Sequence, residues 1–67
     1  MLISSYFKEE TDGKMRADVI MAEGYYQIRY YDLSGECFKS EDFKGKSLRF
    51  VEDAAENWTM GIKTLNG

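Results

Sequence analysis

The sequence offers few side chains that could carry out chemistry, and their types exclude most enzyme mechanisms. The chain has 67 residues, no histidine and a single cysteine, Cys37. Without histidine it cannot form a Ser-His or Cys-His dyad or an imidazole metal ligand. A lone thiol cannot form an intrachain disulfide, so a reducing compartment suits the chain better than an oxidising one. The sequence therefore predicts a protein that is not an enzyme.

Two other patterns resemble parts of a phosphate-binding loop and a calcium-binding loop, but each lacks a required feature. The segment from Gly45 to Ser47 resembles the end of a phosphate-binding loop, but the upstream glycine of such a loop is missing. Acidic pairs such as Glu52-Asp53 lack the spacing of a calcium-binding loop. We interpret the first pattern as a helix cap and the second as solvated charge. The sequence therefore predicts no metal and no cofactor.

Composition and charge bound the class of protein. Nine basic and twelve acidic residues give a net charge of −3, which disfavours a nucleic-acid binder that relies on overall positive charge. A hydrophobic content of 43% and an aromatic content of 15% are typical of a soluble folded domain. No segment approaches the roughly 20 apolar residues of a membrane span, and the N-terminus lacks the pattern of a signal peptide. We expect one domain, residues 1–67, in the cytoplasm and not in a membrane.

Glycines divide the chain at regular intervals. Gly13, Gly24, Gly35 and Gly45 are separated by eleven, eleven and ten residues, and the segments between them are rich in Tyr, Phe, Ile and Val. This spacing predicts four strands joined by tight turns. The expected ranges of the strands are about residues 2–9, 15–22, 25–32 and 36–40.

After Gly45 the apolar residues change to a helical period of about 3.6, which predicts a helix over residues 48–60. Ser47 is the expected N-cap, and Gly61 is the expected terminator, with Ile62 folding back onto the helix. Strands followed by one amphipathic helix indicate an α+β fold. We predict a four-stranded antiparallel β-meander with one C-terminal α-helix packed on one face, in the order ββββα.

The alternation of apolar residues and the loop lengths predict how the strands pair. The predicted pairs are Ile3–Met21, Phe7–Ala17, Met21–Tyr26, Val19–Ile28, Ala17–Tyr30, Asp18–Arg29, Tyr30–Phe38 and Ile28–Ser40. These pairs place one set of apolar side chains toward the helix. The predicted core comprises Ile3, Phe7, Ala17, Val19, Met21, Tyr26, Ile28, Tyr30 and Phe38 of the sheet and Leu48, Val51, Ala55 and Trp58 of the helix.

The face of the sheet that the helix leaves bare is the candidate interaction surface, and we call it the open face. Its expected members are Tyr6, Lys8, Arg16, Asp18, Ile20, Tyr25, Gln27, Arg29, Tyr31, Cys37 and Lys39. Four basic residues against one aspartate give this face a charge of +3, which leaves −6 for the rest of the chain. The residues expected to contact a partner are Tyr6, Lys8, Arg16, Ile20, Tyr25, Arg29, Tyr31 and Lys39.

Three interpretations of the open face stay in competition. Tyr and Arg are enriched at protein interfaces, so the face predicts a protein partner or self-association as a homodimer. Aromatic rings interleaved with basic side chains also fit single-stranded nucleic acid or a DNA groove. Alternatively, tyrosine is a good strand former and the charges only solvate the face. We expect a binding module whose first choice of partner is protein, with nucleic acid as the alternative.

The segment of residues 45–63, GKSLRFVEDAAENWTMGIK, resembles small proteins encoded by T4-like phages of marine cyanobacteria. The resemblance implies a small viral protein made in a bacterial host, which acts by binding host or viral macromolecules. It transfers no functional residues to this chain.

Overall fold

Four strands and one helix form in the order that the glycine spacing predicts. The computed structural model describes residues 1–8, 11 and 13–61. Its elements are β1 Leu2–Phe7, β2 Arg16–Met21, β3 Tyr26–Tyr31, β4 Cys37–Phe43 and α1 Leu48–Thr59. The strands make one antiparallel sheet in the order β1-β2-β3-β4, which confirms the ββββα fold. The predicted first strand reached residue 9, which lies outside the described residues.

The central hairpin of β2 and β3 has the predicted register. The Ala22 N–H donates to the Tyr25 carbonyl oxygen at 2.8 Å and closes a two-residue turn. Gly24 in this turn has a φ of 84°, a conformation that glycine adopts without a Cβ clash. The observed pairs include Val19–Ile28 and Asp18–Arg29, as predicted.

Strand β1 is displaced by one residue from its predicted register. Phe7 lies opposite Arg16 instead of Ala17, and Tyr6 takes the position opposite Ala17. A shift of one residue moves every side chain of a strand to the other face of the sheet. Tyr6 therefore packs against the core, while 52% of the Phe7 surface is exposed on the bare side.

Side-chain hydrogen bonds in the first loop account for this displacement. The Thr11 hydroxyl donates to the Lys8 carbonyl oxygen at 2.7 Å and accepts from the Met15 N–H at 3.1 Å. The Lys8 N–H in turn donates to the Met15 carbonyl oxygen at 2.9 Å, so these two residues pair across a loop wider than predicted. A bulge at Ile3 also replaces the predicted pair with Met21, although Ile3 still packs against the core.

Strand β4 is likewise displaced by one residue and is longer than predicted. Phe38 is the extra residue of a bulge that follows the turn from Asp32 to Glu36. The strand continues past the predicted end at residue 40 as far as Phe43, which packs against the core. The predicted pairs Tyr30–Phe38 and Ile28–Ser40 are replaced by Tyr30–Lys39 and Ile28–Glu41.

The helix begins and ends at the predicted caps. The Ser47 side chain accepts a hydrogen bond from the Phe50 N–H at 3.2 Å. Gly61, just after the helix, has a φ of 77° and donates its N–H to the Trp58 carbonyl oxygen at 3.1 Å. The expected contact of Ile62 lies outside the described residues. In the described part of the chain, no helix is long and apolar enough to span a bilayer.

The core lies between the helix and the first three strands. Its buried members are Ala17, Val19, Ile28, Tyr30, Val51 and Ala55. The helix packs over β2 with β1 and β3 on its two sides. In contrast, β4 is exposed from Cys37 to Asp42. The helix therefore leaves bare the opposite face of the sheet and most of the outer strand on its own side.

Candidate interaction face

The open face consists of three rows of side chains that cross the strands. Each row contains residues that lie directly opposite one another in neighbouring strands. The first row is Phe7, Arg16, Tyr31 and Cys37, the second is Ser5, Asp18, Arg29 and Ser40, and the third is Leu2, Ile20, Gln27 and Asp42. The first row places aromatic rings beside Arg16, the second row is polar throughout, and the third joins two apolar residues to two polar ones.

Asp18 organises one half of the open face. Only 8% of its surface is exposed although none of the described elements covers this side of β2. The Ser5 hydroxyl donates to Asp18 Oδ1 at 2.8 Å, and Arg16 Nε donates to both carboxylate oxygens at 3.1 and 3.2 Å. The Arg16 guanidinium also lies over the Tyr31 ring, 4.0 Å from its centroid. Neighbouring side chains on the same face thus satisfy and cover the carboxylate.

A second chain of hydrogen bonds fixes the other half. Arg29 Nε donates to Gln27 Oε1 at 3.1 Å, and Gln27 Nε2 donates to Asp42 Oδ1 at 2.7 Å. This network joins β3 to β4 across the open face. Its atoms are exposed, so the hydrogen bonds orient the side chains more than they stabilise the fold.

Apolar and aromatic side chains frame these polar networks. Phe7 stands at the β1 end of the first row, and Ile20 is partly exposed in the third. Strand alternation places Tyr25 at the end of the same face, where Lys44 Nζ lies 5.0 Å from its ring centroid. The open face therefore offers contact surface beside polar groups that are already paired.

The structure keeps some predicted members on the open face and removes others. It keeps Arg16, Ile20, Tyr25, Arg29 and Tyr31, together with Asp18, Gln27 and Cys37. The prediction is wrong for Tyr6, Lys8 and Lys39, which lie on the helix side because both outer strands are shifted by one residue.

The charge of the open face changes with these corrections. Arg16 and Arg29 balance Asp18 and Asp42 within the three rows, and Lys44 stands at their end. The predicted +3 patch is therefore wrong for the described residues. Their positive and negative side chains lie next to each other, so the open face has little net charge.

The displaced lysines belong to an aromatic cluster on the helix side. The Tyr30 and Trp58 rings lie 4.9 Å apart, and the Phe38 ring is 6.4 Å from each of them. Lys8 Nζ lies 5.0 Å from the Trp58 ring centroid, and Lys39 Nζ lies 5.4 Å from that of Tyr30. Phe38 was expected in the core, yet 51% of its surface is exposed because it sits on the bulge.

Tyr30 is anchored at the edge of this cluster by its hydroxyl. The hydroxyl donates to Glu41 Oε1 at 3.0 Å. Burial raises the pKa of the Tyr30 phenol, and the hydrogen bond to Glu41 and the charge of that carboxylate raise it further. The phenol therefore stays protonated, and Tyr30 acts as a structural donor.

Sequence reasoning missed five residues of the three rows, Leu2, Ser5, Phe7, Ser40 and Asp42. No local signal marks them, because their side depends on the register of the outer strands. The available signal was Thr11, whose hydroxyl can hydrogen-bond to nearby backbone groups and so favour the wider loop. These hydrogen bonds set the register of β1. Among the described residues, no three potential ligands gather closely enough to hold a metal ion.

Comparison with known proteins gives no relative on which to base a function. No family model, no curated protein and no solved structure matches the chain.

Proposed function

We propose that this protein is a non-enzymatic binding module whose open face contacts another protein. One observation carries the proposal: polar groups on this face pair with one another, while Phe7, Ile20 and Tyr31 present apolar surface beside them. Both carboxylate oxygens of Asp18 already accept hydrogen bonds, so covering this group removes little unpaired acceptor surface from water. Aromatic residues and arginine are also the side chains enriched at protein interfaces.

The same contacts prepare the face for binding. Arg16 is held by Asp18 on one side and by the Tyr31 ring on the other. Ordering a long side chain on association costs about 0.5–1.5 kcal/mol, and much of that ordering is present before a partner arrives. The open face therefore resembles a preorganised interface more than a solvated surface.

The dimensions of the open face favour a transient contact. Strands of six residues are about 20 Å long, and four strands about 4.8 Å apart span roughly 15 Å. Such a face is smaller than the roughly 800 Å² per partner of a standard stable interface. We expect reversible binding dominated by a few side chains, with Phe7 and Tyr31 first among them.

Nucleic acid is the second choice of partner. Two of the four basic residues expected on the face, Lys8 and Lys39, lie on the other side. The two that remain, Arg16 and Arg29, are hydrogen-bonded within the face. Nucleic-acid binding depends on basic groups available to phosphates, which this arrangement reduces.

The source and location of the protein belong to the same proposal. The resemblance of residues 45–63 to small phage proteins supports a viral protein that acts in the cytoplasm of a bacterial host. A host or viral protein would then be the partner.

Two phenylalanines provide a matched test. Phe7 on the open face and Phe38 on the helix side are exposed to nearly the same extent, 52% and 51%. Immobilised wild type, Phe7→Ser and Phe38→Ser are used to capture proteins from a cyanobacterial lysate, and retained proteins are purified and tested for direct binding. We expect a protein that binds wild type and Phe38→Ser but not Phe7→Ser.

Two results would contradict the proposal. One is a partner lost only with Phe38→Ser, which would place the contact on the helix side. The other is salt-sensitive binding of a single-stranded oligonucleotide that is weakened by Arg29→Ala, which would favour the nucleic-acid alternative.

A further inference from the structure

In the part of the chain that the structure describes, no strand pairs with the outer edge of β4, and most of the strand is exposed. It is the last strand of the sheet, and every residue from Cys37 to Asp42 is exposed. The helix covers β1 to β3, whereas it meets β4 only at the Phe38 and Phe43 rings. An edge strand presents unpaired backbone N–H and C=O groups that can pair with another strand.

The hydrogen-bonding pattern shows which residues of β4 present those groups. The hydrogen bond from Ala22 to Tyr25 makes these two residues a hydrogen-bonded pair at the β2–β3 turn. Because antiparallel strands alternate, Ile28 and its partner Glu41 then bond to each other. The backbone groups of Ser40 and Asp42 therefore point away from the sheet.

Charges on β4 are arranged so that the strand complements itself. Lys39 and Glu41 flank Ser40 and lie on the same side of the sheet. If a second copy of β4 runs antiparallel about a two-fold axis at Ser40, Lys39 of each copy faces Glu41 of the other. Directly opposed side chains have Cβ atoms about 4.5–5.5 Å apart, within reach of an ion pair.

The pairing also satisfies the backbone. The outward groups of Ser40 meet those of Ser40 in the second copy, which is the geometry of a hydrogen-bonded pair. Lys39 and Glu41 then occupy positions without such bonds, where opposed side chains are closest. Among the described residues, the one ion pair within 4.0 Å is Arg16–Asp18, so Lys39 and Glu41 have no ionic partner within this part of the chain.

We propose that β4 pairs with β4 of a second copy about Ser40 and joins two sheets into one of eight strands. A two-fold axis perpendicular to the sheet puts both helices on one side and both open faces on the other. The combined open face is twice as wide as that of one copy. This inference rests on the β4 edge and does not depend on the proposed partner of the open face.

A charge-exchange experiment tests this pairing. Sedimentation equilibrium is measured over a series of concentrations for wild type, Lys39→Glu, Glu41→Lys and an equimolar mixture of the two variants. Each variant alone places like charges opposite each other, and we expect its dimer to be weaker by roughly tenfold or more. In the mixture, opposite charges face each other again, so association should return to within a few-fold of the wild type.

Two further measurements make the result decisive. Lys14→Glu carries the same change of charge at an exposed residue away from β4, and it should associate as the wild type does. Circular dichroism checks that each variant is folded. This check is needed because Glu41→Lys removes the acceptor of the Tyr30 hydrogen bond. A wild type that stays monomeric, variants that associate unchanged, or a mixture that shows no recovery would each overturn the proposal.

Discussion

The two faces of the sheet use similar side chains for different purposes. On the open face, the Arg16 guanidinium lies over the Tyr31 ring, and the described helix packs on the opposite side of the sheet. On the helix side, Lys8 lies over Trp58, and that ring packs on Tyr30 at the edge of the core. The Arg16–Tyr31 pair is therefore available for contact on the open face, whereas the Lys8–Trp58 pair covers the edge of the core on the helix side.

The difference shows that residue type alone does not identify a binding surface. Both faces contain aromatic rings beside basic side chains, but only the open face lacks a covering helix. Substitutions on the helix side should therefore change stability, whereas equivalent substitutions on the open face should change binding more than stability.

Ile28 and Ile20 offer the largest contrast between the faces. Ile28 is fully buried under the helix, while Ile20 is partly exposed on the open face. Because truncation leaves a cavity, Ile28→Ala should lower the free energy of unfolding by about 2–5 kcal/mol, enough to unfold a small domain. We expect Ile20→Ala to cost less than about 1 kcal/mol. Urea unfolding followed by circular dichroism measures both, and equal losses would contradict the assigned faces.

Asp18 tests whether the open face has structure of its own. Replacing it with asparagine removes the charge that Arg16 and Ser5 contact, and should cost about 1–3 kcal/mol. Asp42→Asn is the control, since its contact with Gln27 is exposed and should contribute less than about 0.5 kcal/mol. A loss for Asp18→Asn no larger than that of the control in urea unfolding would show that the network does not stabilise the face.

Tyr30 links the stability of the helix side to alkaline pH. Its phenol is held protonated in the fold, whereas an unfolded tyrosine titrates near pH 10. The contribution of the Tyr30 phenol to the free energy of unfolding is therefore fully present below about pH 10 and decreases as the pH rises further. Tyr30→Phe should cost about 0.5–1.5 kcal/mol at neutral pH through the lost hydrogen bond to Glu41.

Unfolding midpoints at neutral and alkaline pH test this linkage. The decline above about pH 10 should be shallower in Tyr30→Phe than in the wild type, and Tyr25→Phe serves as the control for losing a phenol elsewhere. Identical pH profiles for wild type and Tyr30→Phe would rule out the proposed effect of burial.

Asp32 should give the smallest effect, at acidic pH. A hydrogen bond from the Ser34 hydroxyl, followed by one from the Glu36 N–H, lowers the pKa of the Asp32 carboxyl. Its contribution to stability is present above the usual aspartate pKa of about 3.9. The contribution is lost as the pH falls through the lower pKa that this carboxyl has in the folded protein. Thermal unfolding of Asp32→Ala should show a slightly lower midpoint at neutral pH and a weaker decline in acid. An unchanged acid profile would exclude this role.

The sequence predicted the fold and the central hairpin because their determinants are local. Alternation and a two-residue turn at Gly24 fix the pairing of β2 with β3, so Asp18, Arg29 and Val19 lie as predicted. The helix followed from its apolar period and from the Ser47 cap. These signals lie within a few residues of the structures that they determine.

The outer strands could not be placed in the same way. The register of β1 depends on hydrogen bonds that the Thr11 side chain makes within the loop. The register of β4 depends on a bulge at Phe38, and a single inserted residue leaves the apolar pattern almost unchanged. Since a shift of one residue exchanges the faces, Tyr6 and Lys39 were assigned to the wrong side. The open face was therefore predictable at its centre and not at its borders.

The most direct test of the open face as the binding surface compares dissociation constants for one purified partner. Calorimetry with wild type, Phe7→Ser and Phe38→Ser isolates the face, since the two phenylalanines are equally exposed on opposite sides. We expect Phe7→Ser to weaken binding by about tenfold or more, and Phe38→Ser to change it by less than about twofold. Equal weakening by both variants, or a larger effect of Phe38→Ser, would contradict the assignment.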